Sequence, residues 1–158
     1  MDLRDLINDA PFAELLGMEV THIGDGHATG RLEFSDDLRS NSYGSVAHGG
    51  ATYALADTVG GAAVVSLSRD ISPTVDMRID YLAPVTTDLR ATAEVVRHGS
   101  SISVAHVNIH DDNGTRVATA HGTYKTGGQG EDTPWYGEDG PTDRAPDDTS
   151  DEAGTPSE

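Results

Sequence analysis

The sequence contains no cysteine. That excludes disulfides, thiolate metal sites and a cysteine nucleophile. Lysine is almost missing: of ten basic residues nine are Arg, and Lys125 is the single Lys. With a formal net charge of −17, no basic stripe exists to neutralise phosphates. Nucleic acid and anionic membrane surfaces are therefore excluded as partners. No apolar run reaches the roughly 20 residues of a membrane-spanning helix. No signal-peptide pattern opens the chain either, so a cytoplasmic location is expected.

What the chain has in excess is acid. Between Gly127 and Glu158 lie ten acidic residues and one Arg, with few apolar ones. Residues 127–158 are accordingly expected to form a disordered acidic tail, and residues 1–126 one folded domain. The body alone keeps 17 acidic and 9 basic residues. An acidic surface with so little Lys resembles that of proteins from salt-loving archaea, in which concentrated salt screens repulsion between carboxylates.

Periodicity assigns the elements. Leu3, Leu6, Ile7, Phe12, Leu15 and Leu16 predict a short amphipathic helix, interrupted near Pro11 and stopped at Gly17. Met18–Ile23 and His27–Phe34 flank Gly24-Asp25-Gly26 and predict a β-hairpin. Residues 35–47 read as a loop. From Ala51 to Leu67 the chain is apolar and rich in small residues, with Asp57 its one acid and no base. This predicts a long helix buried on most sides. Gly60 and Gly61 cost it stability, which tight packing is expected to offset. After Pro73 the period becomes two, with Val75, Met77, Ile79 and Tyr81 on one face. Further strands are predicted over 89–96, 101–110 and 115–125, the last two joined by a turn at Asn113-Gly114. One apolar helix beside a largely antiparallel sheet is α+β.

Two features carry chemistry. Asp57 is a carboxylate inside an apolar helix, and burying an unpaired charge is costly. Pattern alone leaves two readings open: a structural partner for an Arg or a cap, and a base or nucleophile in a partly dry cleft. His48-Gly49-Gly50 opens the same helix. Its first amides lack internal acceptors and sit at the positive end of the helix dipole, where they can stabilise an oxyanion. By itself the tripeptide reads more readily as an ordinary Gly-rich loop. The other histidines (His22, His27, His98, His106, His110 and His121) show no zinc-ligand spacing, and structural or surface roles are expected for them. Trp135 reads as an incidental aromatic of the tail.

The combination is more specific. His48-Gly49-Gly50 with Leu55-Ala56-Asp57 behind it, Asn41 and Gly44 before it, the strand from Thr74 to Pro84, Gly99, Asn113-Gly114 and His121-Gly122-Thr123-Tyr124 resembles the signature of PaaI-type hotdog-fold acyl-CoA thioesterases. The resemblance runs from about Leu3 to Thr126. It implies an antiparallel sheet wrapped around a long central helix. It also implies a homodimer or homotetramer with active sites at subunit interfaces, and no cofactor, since coenzyme A is part of the substrate.

It further implies roles. Asp57 would be nucleophile or general base, the Gly49 amide would polarise the thioester carbonyl, and Asn41 would position the thioester or water. His48 would support that Asn and its loop, and Thr74 would orient water. Where relatives carry a basic residue that meets CoA phosphates, this chain has Ser100 after Gly99, and Arg97 and His98 stand as substitutes. The stretch from Gly44 to His48 is one residue longer than usual. An acyl-thioester hydratase or dehydratase using His48 and Asp57 and a non-catalytic acyl-CoA-binding module remain the competing functions. The acyl group is expected to be aryl-acyl or of short or medium length, with Tyr53, Val59 and Ala63 shaping its pocket.

Overall fold

The computed structural model describes residues 2–127 and 134–136. The first leucines form two short helices, α1 (Leu3–Asn8) and α2 (Pro11–Leu16). Pro11 occupies the first turn of α2, where a missing N–H costs nothing. Gly17 ends α2 in the left-handed region at φ 69°. The break and stop fall where the sequence puts them, yet the apolar face is not fully covered, and Leu6, Phe12 and Leu15 remain exposed. Asn8 ties the region to the sheet by bonding both the amide and the carbonyl of Val20, at 2.7 and 3.0 Å.

Strands β1 (Met18–Gly24) and β2 (His27–Leu32) form the expected hairpin. Its turn residues, Asp25 and Gly26, both have positive φ, 51° and 77°, as a two-residue primed turn requires. A loop with one 3-10 turn follows, then helix α3 (Gly49–Ser68). The remaining strands are β3 (Thr74–Tyr81), β4 (Leu89–His98), β5 (Ile102–Asp111) and β6 (Arg116–Lys125). All pairs are antiparallel, in the order β1-β2-β4-β5-β6-β3. A six-stranded sheet curled around one long helix is the α+β hotdog arrangement.

The core lies between α3 and the inner face of the sheet. Leu55, Val59 and Val64 of α3 and Val20, Leu32, Leu89, Val107, Ile109 and Val117 of the sheet are fully buried. Each contributes about 1.5–3 kcal/mol relative to exposure. The glycine in the middle of α3 has its compensation here. The Tyr124 ring, fully buried, runs beneath Gly60, and any Cβ at Gly60 would overlap the Tyr124 hydroxyl.

One expectation needs correcting. The alternation of Val75, Met77, Ile79 and Tyr81 predicts one buried face along β3, but Val75 and Tyr81 are exposed and only Met77 is fully covered. β3 is an edge strand, paired with β6 alone. Its register also slips between Thr74 and Asp76, so Val75 is an extra, bulged residue that turns outward. The acidic tail lies outside the described residues apart from Pro134–Tyr136, a short 3-10 turn in which Trp135 is exposed.

Candidate active site

The start of α3 is anchored from below. His48 N–H donates to Leu38 O at 2.7 Å, and Ala47 N–H to Val85 O at 2.8 Å. His48 then caps the helix. Its Nδ1 accepts from the Gly50 amide at 2.8 Å and its carbonyl from the Ala51 amide at 3.0 Å. An accepting Nδ1 places the ring proton on Nε2. The amides of Gly50 and Ala51 are thus satisfied. Among the described residues nothing accepts from the Gly49 amide, which stands at the positive end of the helix dipole. The Tyr81 hydroxyl donates to Gly49 O at 2.8 Å.

Asp57 lies two turns further on. It is half-buried rather than enclosed, because its face of α3 lies along the edge strand β3, where Thr74 and Met77 meet Asp57 and Tyr53. Tyr53, Ala54, Thr58, Gly61 and Val65 share that face and are likewise partly open. Thr74 Oγ1 donates to Asp57 Oδ1 at 2.6 Å, a short bond of the charge-assisted kind. The Tyr124 hydroxyl donates to the Asp57 backbone carbonyl at 3.3 Å. Burial raises the Tyr124 phenol far above the usual tyrosine range, and the neighbouring Asp57 and Tyr53 raise it further. The Tyr81 phenol is also raised, by burial first and then by Tyr53.

Other candidate residues sit elsewhere. Asn41 Oδ1 accepts from the amides of Tyr43 and Gly44, at 2.9 and 2.7 Å, and closes a local turn. The hydrogen bond of the His48 side chain is to Gly50 and not to Asn41. Arg97 and His98 end β4, and Gly99 and Ser100 begin the β4–β5 turn. There Arg97 Nη1 donates to Ile102 O at 3.2 Å, His98 Nδ1 pairs with the buried Ser103 hydroxyl at 2.8 Å, and Thr126 Oγ1 donates to Gly99 O at 2.6 Å. Register aligns His98, Ser103, Tyr124 and Thr74 in one row across four strands, so this turn lies about 14 Å from Thr74. Of the residues expected to shape an acyl pocket only Tyr53 is on the Asp57 face, since Val59 and Ala63 are fully buried in the core. Among the described residues no cluster of His, Asp and Glu is arranged to hold a metal ion. No helix among them is long and apolar enough to cross a membrane.

Sequence reasoning did not single out Tyr81 or Tyr124 for the site. The signal available was scarcity: each is an aromatic in a chain with 5% aromatics, and each faces a glycine of α3, Gly49 and Gly60 respectively.

A fold of this kind, with a carboxylate and an unclaimed helix amide on one central helix, is that of a thioester-processing hotdog protein. The thioesterase superfamily matches residues 44–118. A candidate esterase of Halobacterium salinarum is 31% identical over 134 residues, covering 78% of this chain and 89% of its own. The medium/long-chain acyl-CoA thioesterase YigI of Escherichia coli is 28% identical, covering 74% and 86%. A variant structure of the phenylacetic acid degradation protein PaaI from Thermus thermophilus superposes with a TM-score of 0.66 at 30% identity, covering 73% and 98%. The chain belongs to the thioesterase superfamily.

Proposed function

We propose that this protein is an acyl-CoA thioesterase, which hydrolyses an aryl-acyl or short- to medium-chain acyl-CoA to the free acid and CoA. The observation that carries the reading is the pairing, on α3, of Asp57 held by Thr74 with a Gly49 amide that nothing among the described residues claims. A thioester carbonyl is a good electrophile and a thiolate leaves readily. A carboxylate with one oxyanion donor therefore suffices. Asp57 attacks the carbonyl or draws a proton from the attacking water, with Thr74 fixing one of its oxygens. The Gly49 amide receives the charge that develops on the carbonyl oxygen. Asn41, whose Oδ1 is taken by the amides of Tyr43 and Gly44, has its Nδ2 left to position the thioester or the water.

Geometry supports a dimer as the active unit. Gly49 and Asp57 are eight residues apart on one helix, about 12 Å along its axis. A reacting carbonyl must lie about 3 Å from both, so one chain cannot supply both groups to it. Two antiparallel copies can, with Asp57 of one copy facing Gly49 of the other. The open edge of β3, its exposed Val75, Tyr81 and Leu82 and the uncovered face of α3 form the surface such a copy would cover. The β4–β5 turn, with Arg97, His98, Gly99 and Ser100, is the reading for contacts with CoA phosphates, at a distance a pantetheine arm can span. The pathway is assigned to the cytoplasm, where acyl-CoA esters are made and used.

The test is free-thiol release from a panel of acyl-CoA esters in strong salt, with Asp57→Asn beside the wild type. Turnover that vanishes in the folded variant is the expected result. Release by Asp57→Asn at the wild-type rate would remove Asp57 from the reaction.

A further inference from the structure

One peptide unit at the start of α3 is held at both poles. Its carbonyl, Gly49 O, accepts from Tyr81 Oη at 2.8 Å, and its amide, Gly50 N–H, donates to His48 Nδ1 at 2.8 Å. The Tyr81 ring also lies flush against Gly49. A Cβ at that position would stand 3.0 Å from Tyr81 Cζ and 3.1 Å from its hydroxyl oxygen. Tyr81 comes from the far end of β3, 32 residues away, and half of its surface is open at 53%. Helix capping does not require it, because His48 already serves the second and third amides.

We propose that Tyr81 is a positioning residue for the thioester carbonyl: the unclaimed Gly49 N–H lies on the His48–Gly49 peptide, whose carbonyl accepts from Ala51, and by bonding Gly49 O Tyr81 fixes the next peptide, so that Gly49, the joint between the two, is held on both sides. The inference rests on the reading of Gly49 as the oxyanion donor. Two glycines in succession are the most permissive backbone a chain can offer. An oxyanion donor, by contrast, must be held within about 0.5 Å of its working geometry. The site therefore needs a constraint from outside the helix, and Tyr81 provides one. The two bonds act on opposite ends of the same amide dipole, so each strengthens the other. The arrangement also accounts for glycine at position 49, since any side chain there would push the ring away. Burial and the neighbouring Tyr53 raise the phenol above its usual value, which favours the protonated form that donates.

Tyr81→Phe tests this, because it keeps the ring and removes the bond. The expected result is a kcat lowered about five- to tenfold with KM within about twofold of wild type. Circular dichroism and sedimentation should be unchanged, and the amide proton resonance of Gly50 should move upfield as its peptide loses polarisation. Should Tyr81→Phe fail to fold, Tyr81→Leu carries the same two readouts. An unchanged kcat, a loss confined to KM, or a Gly50 resonance that stays in place would each overturn the proposal. If the wild type itself releases no thiol from any ester, the thioesterase reading fails. The Gly50 resonance alone then decides whether Tyr81 holds the peptide.

Discussion

Thr74 Oγ1 reaches Asp57 Oδ1 at 2.6 Å because of an irregularity one residue along. The bulge at Val75 puts Thr74 opposite Tyr124 on the inner face of the sheet, the face that Met77 shares opposite Gly122. Strict alternation would turn Thr74 to the outside. A hydrogen bond to a charged carboxylate is worth about 1.5–3 kcal/mol, here spent on holding one oxygen of Asp57. Thr74→Val should lower kcat about tenfold with little change in KM. Thr74→Ser keeps the hydroxyl and should stay within about threefold of wild type. Steady-state thiol release on both variants is the measurement, and equal losses in the two would deny the hydroxyl its role.

Tyr124 and Gly60 are matched in the same way. The fully buried phenol fills the space a side chain at Gly60 would take, and Gly122 makes room on the other side, where a Cβ would lie 2.6 Å from the ring. Gly60→Ala gains helix propensity but overpacks a site with no slack, at a cost of about 1–3 kcal/mol. The expected net effect is a loss of stability in urea unfolding at fixed protomer concentration. Tyr124→Phe removes the atom in conflict, so the double variant should lose less than the two single losses combined. Additive losses would mean that the conflict lies elsewhere.

The same phenol sets an alkaline limit. Its folded pKa is raised above the unfolded value of 10.0 by burial, then by Asp57 and Tyr53. The folded protein therefore keeps a proton that the unfolded chain releases. Stability from this group is complete below about pH 10 and is lost as pH rises beyond it. With a single Lys in the chain, few ammonium groups titrate in that window. Unfolding free energy measured from pH 9 to 11 should fall in the wild type and fall less in Tyr124→Phe, relative to each protein's own value at pH 9.

Much of this architecture was legible in the sequence, and what escaped is instructive. The helix break at Pro11, the Asp25-Gly26 hairpin, the long helix and the last three strands follow from local signals, because proline, glycine and apolar periodicity act over a few residues. The pairing of Asp57 with Thr74 entered through resemblance, and the geometry brings these two residues together. The bulge at Val75 was not legible, since it depends on what stands opposite in β6. Tyr124 bonds a residue 67 positions away, beyond any local window. The face of α3 was misassigned at Val59 and Ala63 for a related reason. A helix made of Ala, Gly and Val has little contrast between its sides, and only the sheet decides which side is covered.

The charge of −17 makes a prediction about salt. Raising ionic strength from 0.1 M to 1 M shortens the Debye length from about 10 Å to about 3 Å, which removes most repulsion between neighbouring carboxylates. The melting temperature should climb with added KCl, and CoA esters, themselves polyanions, should bind more tightly over the same range. A melting temperature indifferent to salt would sever the acidic composition from a need for salt.

The spacing of Gly49 and Asp57 yields the most discriminating test. If each active site takes Asp57 from one copy and Gly49 from the other, Asp57→Asn and Gly49→Pro, which deletes the amide at the first helical position where proline is tolerated, inactivate by removing different halves. In a mixed dimer one site then carries both substitutions and the other carries neither. Random mixing makes half of the dimers mixed, each with one intact site of two, so about a quarter of wild-type activity should return. The two inactive proteins would be unfolded together, refolded in strong salt and assayed for thiol release beside each protein refolded alone. Were both groups to act within a single chain, every chain in the mixture would be defective, and mixing would restore nothing.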